Sequence, residues 1–563
     1  NYCDIISMSY LFLSCTEIHL LKMPIIWHFF CTKFIVYFHF ICLNFHYRKI
    51  MKICGDDMQT SPQSNDKIYD LAVIGGGING VGIAADASGR GLSVFLCEKD
   101  DLASHTSSAS SKLIHGGLRY LEHKEFRLVR EALAEREVLL AKAPHIIRPM
   151  RFIMPHRPHL RPAWLIRTGL FFYDHLGKRE KLLGSNNVYF KEDSPLNSAI
   201  TRGFEYSDCA VDDSRLVVLN AMHAREKGAD VVTRTRCLSA QRDGQYWLVD
   251  LENEHGQFQI KAKALVNAAG PWVAQFIKQD LQLKSPYGIR LIQGSHIIVP
   301  KLYECDKAFI MQNDDRRIVF AIPYLDQYTM IGTTDREYQG DPAQVKITQE
   351  EIDYLIEVSN AHFKKQLTQQ DIIWTFAGVR PLCDDESDNP SAITRDYTLA
   401  LSKGEKGQAP LLSVFGGKLT TYRKLAESAM QQLKAFFPEM KGSWTATEAL
   451  PGGENMASAE QLVNEIRAQI TDVSESLAKR WATSYGSRIW NILGEATSVD
   501  QLGKHFGQGL YAKEVDYLCR FEWVTSTQDV LWRRSKLGLS FMPSEELALD
   551  AYLAAKQQSP HAA

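Results

Sequence analysis

The chain has 563 residues, 45% of them hydrophobic and 23% charged, a composition that gives a large globular protein room for two or three domains with their own cores. Its 64 Lys and Arg nearly balance 66 Asp and Glu, leaving a formal charge of -2 and a pI near 6.8. That excludes the global basic field that recruits nucleic acid.

The eleven cysteines show no CxxC pair or regular spacing, which argues for a reducing compartment and against a disulfide framework; no metal site is expected. Five of them, Cys3, Cys15, Cys31, Cys42 and Cys54, fall in the first tenth of the chain, whereas Cys97 and Cys209 are expected to be small buried hydrophobes. Residues 25–47 are largely apolar, as in a signal or membrane segment. Yet Pro24, His28, Lys33, His39, Asn44 and His46 interrupt them, and no small-residue cleavage site follows. The preferred expectation is upstream sequence translated in error, with a start at Met51 or Met58 and a polar linker over 59–66, so residues 1–66 are set apart from the fold.

Ile68–Ile74 (IYDLAVI) has the length and apolar run of a strand; Ile78, Val81, Ala84 and Ala85 then keep helical spacing. Between them, Gly75 permits a tight turn, Gly77 lets the backbone approach a diphosphate at the helix N-terminus, and Gly80 lets the helix pack on the strand. Residues 92–97 read as the next strand, and Glu98 at its end suits the ribose hydroxyls of an adenosine. A lone GxGxxG is weak, but strand, helix and terminal acid fall in register. This unit predicts a bound dinucleotide without separating NAD from FAD.

Residues 148–181 carry eight Lys or Arg against Asp174 and Glu180. Within them a helix is expected around Trp164, Leu165, Ile166, Leu170, Phe171, Phe172, Tyr173 and Leu176, with Arg167, Asp174 and Lys178 on one face. Such a helix either lies in an anionic membrane surface or packs on a core with a basic rim. Further along, residues 265–272 (LVNAAGPW) read as a strand ending in small residues that pass close to a cofactor. Leu411–Phe415 is another strand, broken by Gly416 and Gly417 and followed by a helix on Tyr422, Leu425, Ala426, Ala429, Met430 and Leu433. A second helix N-terminus at a glycine turn suits the negative charge of a reduced flavin, which a nicotinamide does not need, so the cofactor is read as FAD. From about Gly453 the patterning is helical (457–481, 545–556) with no cofactor motif, and serves packing or self-association, for instance as a homodimer; Trp532-Arg533-Arg534 is read as a solvated face.

Several segments together resemble one family. They are TSSASSKLIHGGLRYLE (106–122), RPMRF (148–152), PHRPHLRPAW (155–164), RGFEYSDC (202–209), SPYGIRLI (285–292), GVRPLCDDESD (378–388), AITRDYTL (392–399) and FGGKLTTYRKLAE (415–427). With them the chain from Ile68 onward is similar to the FAD-dependent, respiratory glycerol-3-phosphate dehydrogenases. The resemblance implies oxidation of sn-glycerol 3-phosphate to dihydroxyacetone phosphate on FAD, with electrons passed to ubiquinone or menaquinone. It implies an α/β fold: a glutathione-reductase-type FAD domain (67–136, 206–275, 388–452), an inserted β-rich substrate domain (137–205, 276–387) and a helical C-terminal domain (453–563). One departure is Asn267-Ala268-Ala269-Gly270, where a Thr is common before the Gly.

Carried over from the family motifs, Arg119, Tyr120, Arg380, Arg395 and Lys418 clamp phosphate and hydroxyls, Arg380 acting also in catalysis; guanidinium forks bond two phosphate oxygens at once. His115, just past a flavin-contacting stretch of Ser107, Ser108, Ser110, Ser111 and Lys112, is the expected base for the C2 hydroxyl, since histidine takes up a proton near neutral pH. Ala269, Gly270, Gly416, Gly417, Leu419 and Thr420 complete the expected cofactor contacts. A quinone acceptor lives in the bilayer, which favours the membrane reading of the basic helix and a peripheral place on the cytoplasmic face of a bacterial inner membrane. The alternatives are a glycerol-3-phosphate oxidase using oxygen and a non-catalytic flavin scaffold.

Overall fold

The computed structural model describes residues 67–558 except 123, 316, 385–396 and 406, and the fold is given for these residues. The expectations for residues 1–66, and for Arg395, fall outside them.

Strand Ile68–Ile74 is central in an eight-stranded sheet in the order 398–402, 411–415, 256–267, 68–74, 94–97, 230–232, with the hairpin 236–253 added to the 256–267 strand. From 411–415 to 230–232 neighbours run parallel. Parallel strands are covered on both faces, so they read as continuous apolar runs; VFLC (94–97) and LLSVF (411–415) are buried at every position. Helices Ile78–Gly89, Asp213–Glu226 and Tyr422–Leu433 share one core with the sheet, through Ile83, Ala87, Val217, Leu425 and Ala429 among others.

The second sheet has ten strands, in the order 336–337, 289–300, 328–332, 318–324, 308–312, 147–155, 202–211, 113–114, with 374–383 also paired to 289–300 and 186–189 to 202–211. Strand Arg202–Val211 therefore belongs wholly to this sheet, whereas the sequence division at 206 cuts it. Helix Ala163–His175 packs Ile166, Leu170 and Tyr173 into a core with Phe152 and Tyr206; helix Gln349–His362 packs Leu355 and Val358 into another with Val299, Phe309 and Ile331.

The C-terminal part is helical. The single pattern over 457–481 resolves into Ala459–Gln469 and Glu475–Tyr485, because Ser458 and Ser474 each accept an N-terminal amide, from Gln461 and Leu477. Cys97 and Cys209 are buried, as expected.

Candidate functional site

The carboxyl ends of three parallel strands meet at one edge of the first sheet, where ligands of open α/β sheets bind. Gly75 N–H donates to Cys97 O at 2.9 Å and Ala268 N–H to Ile74 O at 2.9 Å, which brings the first turn, Glu98 and the Ala268-Ala269-Gly270 segment together. The 256–267 strand ends at Asn267 and Gly270–Trp272 is a 3-10 turn, so these small residues stand in the turn and not in the strand. Asn79 Nδ2 donates to Gly416 O at 3.1 Å and joins the two glycine turns. Gly75 has φ +113°, and a Cβ on Gly80 would lie 1.9 Å from Gly75 O: both positions require glycine, for the two reasons the sequence gives.

The edge fits a dinucleotide. Helix Ile78–Gly89 begins at Gly77, which has no side chain to cap it, and of its first amides that of Ile78 meets Ser107 Oγ, so the helix start suits an anion. Glu98 accepts from Gly76 N–H at 2.6 Å and from Asp100 N–H at 2.9 Å. Burial pushes its carboxyl up and these two amides oppose that shift; a carboxylate has about four lone-pair sites, so two remain for ribose.

The stretch 107–112 bridges the two sheets. Ser107 Oγ accepts from Ile78 N–H at 3.1 Å, and Thr106 Oγ donates to Val379 O at 2.7 Å, beside Arg380. Ser108 Oγ donates to His105 O at 3.2 Å. Ser110 and Lys112 both donate to buried Asp213, Ser110 Oγ at 2.7 Å and Lys112 Nζ at 2.8 and 3.0 Å. Ser111 Oγ is 3.0 Å from Nε2 of His296. That histidine is buried, stacked flat on Phe376 (4.6 Å, 9°), and its Nδ1 has no partner among the described residues. Burial first, and then Arg380 and Lys112, hold it well below the usual histidine range, so it is neutral.

Beyond this stretch lies a cavity of about 610 Å³. His115, Arg119, Tyr120, Thr333, Asp335 and Arg380 are on its wall, continuing into apolar residues that include Phe152, Leu165, Phe172 and Phe320. Strand Trp374–Cys383 carries Arg380, whose guanidinium donates to Asp335 Oδ1 and to Thr333 Oγ, both at 3.0 Å. Gly294 leaves room for it, since a Cβ there would meet the guanidinium at 2.5 Å. Thr334 is fixed in turn by buried Glu351, which also accepts from Ser295 Oγ at 2.9 Å and Gln293 Nε2 at 2.7 Å. His115 N–H donates to Thr420 Oγ at 3.3 Å, and Lys418 Nζ lies 4.1 Å from the centre of the Tyr120 ring, so the second glycine turn and the cavity wall touch. Gly116 N–H donates to Tyr173 OH at 2.8 Å; Tyr173 OH donates to Asp208 at 2.7 Å, and Asp208 pairs with buried Arg136 at 2.6 Å.

Of the residues expected from sequence to bind substrate, Arg119, Tyr120 and Arg380 thus share the cavity wall with His115, and Lys418 lies against the ring of Tyr120. His296, Thr333, Asp335 and Glu351 were missed. They sit on or beside strands 289–300 and 328–332 and helix 349–362, and the available signal was a polar cluster, Thr333-Thr334-Asp335, directly after an apolar strand.

Helix Ala163–His175 keeps Arg167 and Asp174 on one side, as expected, but ends before Lys178. Arg167 donates to Ser185 Oγ at 2.8 Å and Asp174 accepts from Ser185 N–H at 2.9 Å, so the polar residues hold the following loop. Large apolar residues face outward beside Arg167, Thr168 and His175: Trp164 is 69% exposed, Phe171 54% and Phe172 44%, with Leu165 and the neighbouring Phe126 also exposed. Leu165, Phe172 and Phe126 also line the cavity, so its mouth opens beside this face. Trp532-Arg533-Arg534 is likewise not a solvated face: Arg534 is fully buried and bonds Asp101 twice at 2.8 Å.

Comparison with known proteins gives two family matches. Residues 70–423 match a model described as FAD dependent oxidoreductase, and residues 443–555 the C-terminal domain of alpha-glycerophosphate oxidase. The chain is 67% identical over 496 residues to a glycerol-3-phosphate dehydrogenase of Pseudomonas aeruginosa, covering 88% of this chain and 96% of that protein. It is 50% identical over 485 residues to D-erythritol 1-phosphate dehydrogenase of Brucella abortus, covering 85% and 96%. Among solved structures it is similar to glycerol-3-phosphate dehydrogenase from Bacillus halodurans complexed with FAD. That match has a TM-score of 0.68 and 26% identity and covers 88% of this chain and 91% of that one.

Proposed function

We propose that this chain, which belongs to the family of FAD-dependent oxidoreductases, oxidises sn-glycerol 3-phosphate to dihydroxyacetone phosphate. The observation that carries the reading is the cavity wall that His115, Arg119 and Arg380 share, joined by His115–Thr420 and Tyr120–Lys418 to a glycine turn of the nucleotide edge. A phosphorylated polyol needs cations at one end and an acid–base group at the other, both within reach of the cofactor.

FAD, when bound, would supply the hydride acceptor for C2. Gly75, Gly77 and Gly80 would hold its diphosphate and Glu98 its ribose. Ser107, Ser108, Ser110, Ser111, Lys112, Ala269, Gly270, Gly416, Gly417, Leu419 and Thr420 would hold the remainder. Arg380, its plane set by Asp335 and Thr333, takes phosphate oxygens together with Arg119, Lys418 and Arg395, while Tyr120 orients the hydroxyls. His115 removes the proton of the C2 hydroxyl, which makes C2 a better hydride donor.

Anaerobic addition of glycerol 3-phosphate to the yellow protein tests this: the flavin absorbance bleaches, and His115→Ala bleaches more slowly by about 10²–10⁴-fold while keeping its FAD. A yellow protein that does not bleach would overturn the oxidoreductase reading of this cavity. Full-rate bleaching by His115→Ala would remove His115 as base. One comparison favours a second substrate, a four-carbon polyol phosphate, and kcat/KM measured on both substrates decides between them.

The acceptor we infer is a membrane quinone, reached by laying the apolar face of helix Ala163–His175 in the surface of an anionic bilayer on the cytoplasmic side. An exposed run of large apolar residues marks an interaction surface. No described helix is long and apolar enough to cross a membrane. Wild-type protein should float with anionic liposomes and reduce a quinone analogue there; the double variant Phe171→Glu/Phe172→Glu should do neither. Equal flotation of both would defeat the assignment.

A further inference from the structure

The C-terminal helical part reaches back to the flavin-contacting stretch from two directions. Trp532, on the six-residue turn Asp529–Arg534, stacks on Trp374 at 4.3 Å and 28°, and Gly538 leaves space for its ring. Trp374 lies 5.3 Å from Phe376, the ring against which His296 is stacked. Four rings thus run from the C-terminal part to the histidine that meets Ser111.

Four residues on, Lys536 is inserted between Asp212 and Asp213, with Nζ 3.2 Å from Asp212 Oδ1 and 3.9 Å from Asp213 Oδ1, and it donates to Ser214 Oγ. Asp213 is the carboxylate that holds Ser110 and Lys112. Two lysines and two aspartates form a balanced quartet, buried at Lys112 and Asp213 and half-buried at Asp212 and Lys536, and both lysines have left-handed backbone, φ +56° at Lys112 and +60° at Lys536. Such backbone persists where surrounding contacts over-determine it. Removing one member of a buried ion cluster leaves the others uncompensated, so Lys536 is coupled to the conformation of Lys112.

We propose that the segment Trp532 to Lys536 positions the stretch Ser110, Ser111 and Lys112, together with His296, for cofactor binding and substrate oxidation. Trp532 sets the plane of the ring column that ends on His296, and Lys536 neutralises the acids that hold the stretch. Neither touches the cavity wall; both are positioning residues. The inference rests on the reading of residues 107–112 as flavin contacts.

The test uses the full chain. Trp532→Ala and Lys536→Met are compared with Trp532→Phe and Lys536→Arg by FAD titration of the apoprotein, visible circular dichroism of bound flavin and stopped-flow reduction by glycerol 3-phosphate. The first pair is expected to change the flavin dichroism. It should also weaken FAD affinity or lower the limiting reduction rate on the order of tenfold, with substrate Kd nearly unchanged, as a misplaced site does. Trp532→Phe and Lys536→Arg should restore most of both. If Trp532→Ala does not fold, Trp532→Leu replaces it and is judged by the same readouts. Folded variants with wild-type dichroism, FAD affinity and reduction rate would overturn the proposal, even if they melt earlier. Lys112→Met separates the premise: if it also leaves FAD affinity and dichroism unchanged, the flavin-contact reading falls. If it changes them while the Trp532 and Lys536 variants do not, only the positioning role falls.

Discussion

The nucleotide edge and the substrate cavity are built in opposite ways. At the edge, backbone meets backbone: Gly75 on Cys97, Ala268 on Ile74, and Gly80 against the carbonyl of Gly75. Around the cavity, side chains fix side chains: Asp335 and Thr333 fix Arg380, Glu351 fixes Thr334, and Tyr173, Asp208 and Arg136 lie beneath Gly116. A backbone-built site fails when a methyl group is added, whereas a side-chain-built site fails when a donor is removed. Each region should therefore be breakable without the other.

The largest expected effect is on the cavity. Arg380→Ala should lower kcat/KM for glycerol 3-phosphate by about 2–5 kcal/mol, the range for truncating a hydrogen-bonded charge pair, and leave FAD content unchanged. Arg380→Lys should recover only part, because an ammonium is a point charge and cannot engage Asp335, Thr333 and phosphate as a planar fork does. Loss of FAD from Arg380→Ala would mean that the two regions are not separable.

The converse change is Gly80→Ala, whose Cβ would stand 1.9 Å from Gly75 O. The helix must then move from the turn, an overpacking that costs about 1–3 kcal/mol and weakens FAD binding about 5- to 150-fold. Titration of the apoprotein with FAD measures it. Enzyme saturated with FAD should keep near-wild-type KM for substrate; a KM raised as much as the FAD Kd would contradict the division.

The two regions also differ in how much the sequence tells of them. The edge was legible because its signals are local: IYDLAVI, the glycines, Glu98 and the second turn each carry a reason within a dozen residues. Arg380 and Lys418 were legible only through the family motifs. His296 and Glu351 were not, since their partners, Ser111 for one and Ser295 and Thr334 for the other, are set by strand pairing, and no periodicity announces it. The surface helix was legible as apolar with Arg167 and Asp174 on one side, but not as to their partner or its end: Ser185, outside the helix, takes both side chains, and the helix stops at His175, before Lys178. Trp532-Arg533-Arg534 was misread as solvated for a similar reason: the carboxylate that neutralises Arg534 is Asp101, 433 residues away. Charge in a sequence indicates solvent only when no distant opposite charge folds onto it.

The smallest effect tests whether the cavity turn is held from outside. Tyr173 belongs to the surface helix, yet its hydroxyl accepts from Gly116 N–H, next to His115, and donates to Asp208. In Tyr173→Phe the Gly116 amide keeps only the 3.3 Å contact to Asp208, and Asp208 keeps Arg136. The charge pair therefore survives, and the loss is that of one buried hydroxyl, about 1–2 kcal/mol of stability. If the hydroxyl serves only packing, the melting temperature falls and turnover does not. If it holds the turn that presents His115, the rate of flavin reduction falls as well, by about three- to tenfold, with FAD affinity unchanged because the nucleotide edge takes nothing from Tyr173. A fall in FAD affinity instead would place the tyrosine on the backbone-built side and redraw the boundary between the two regions.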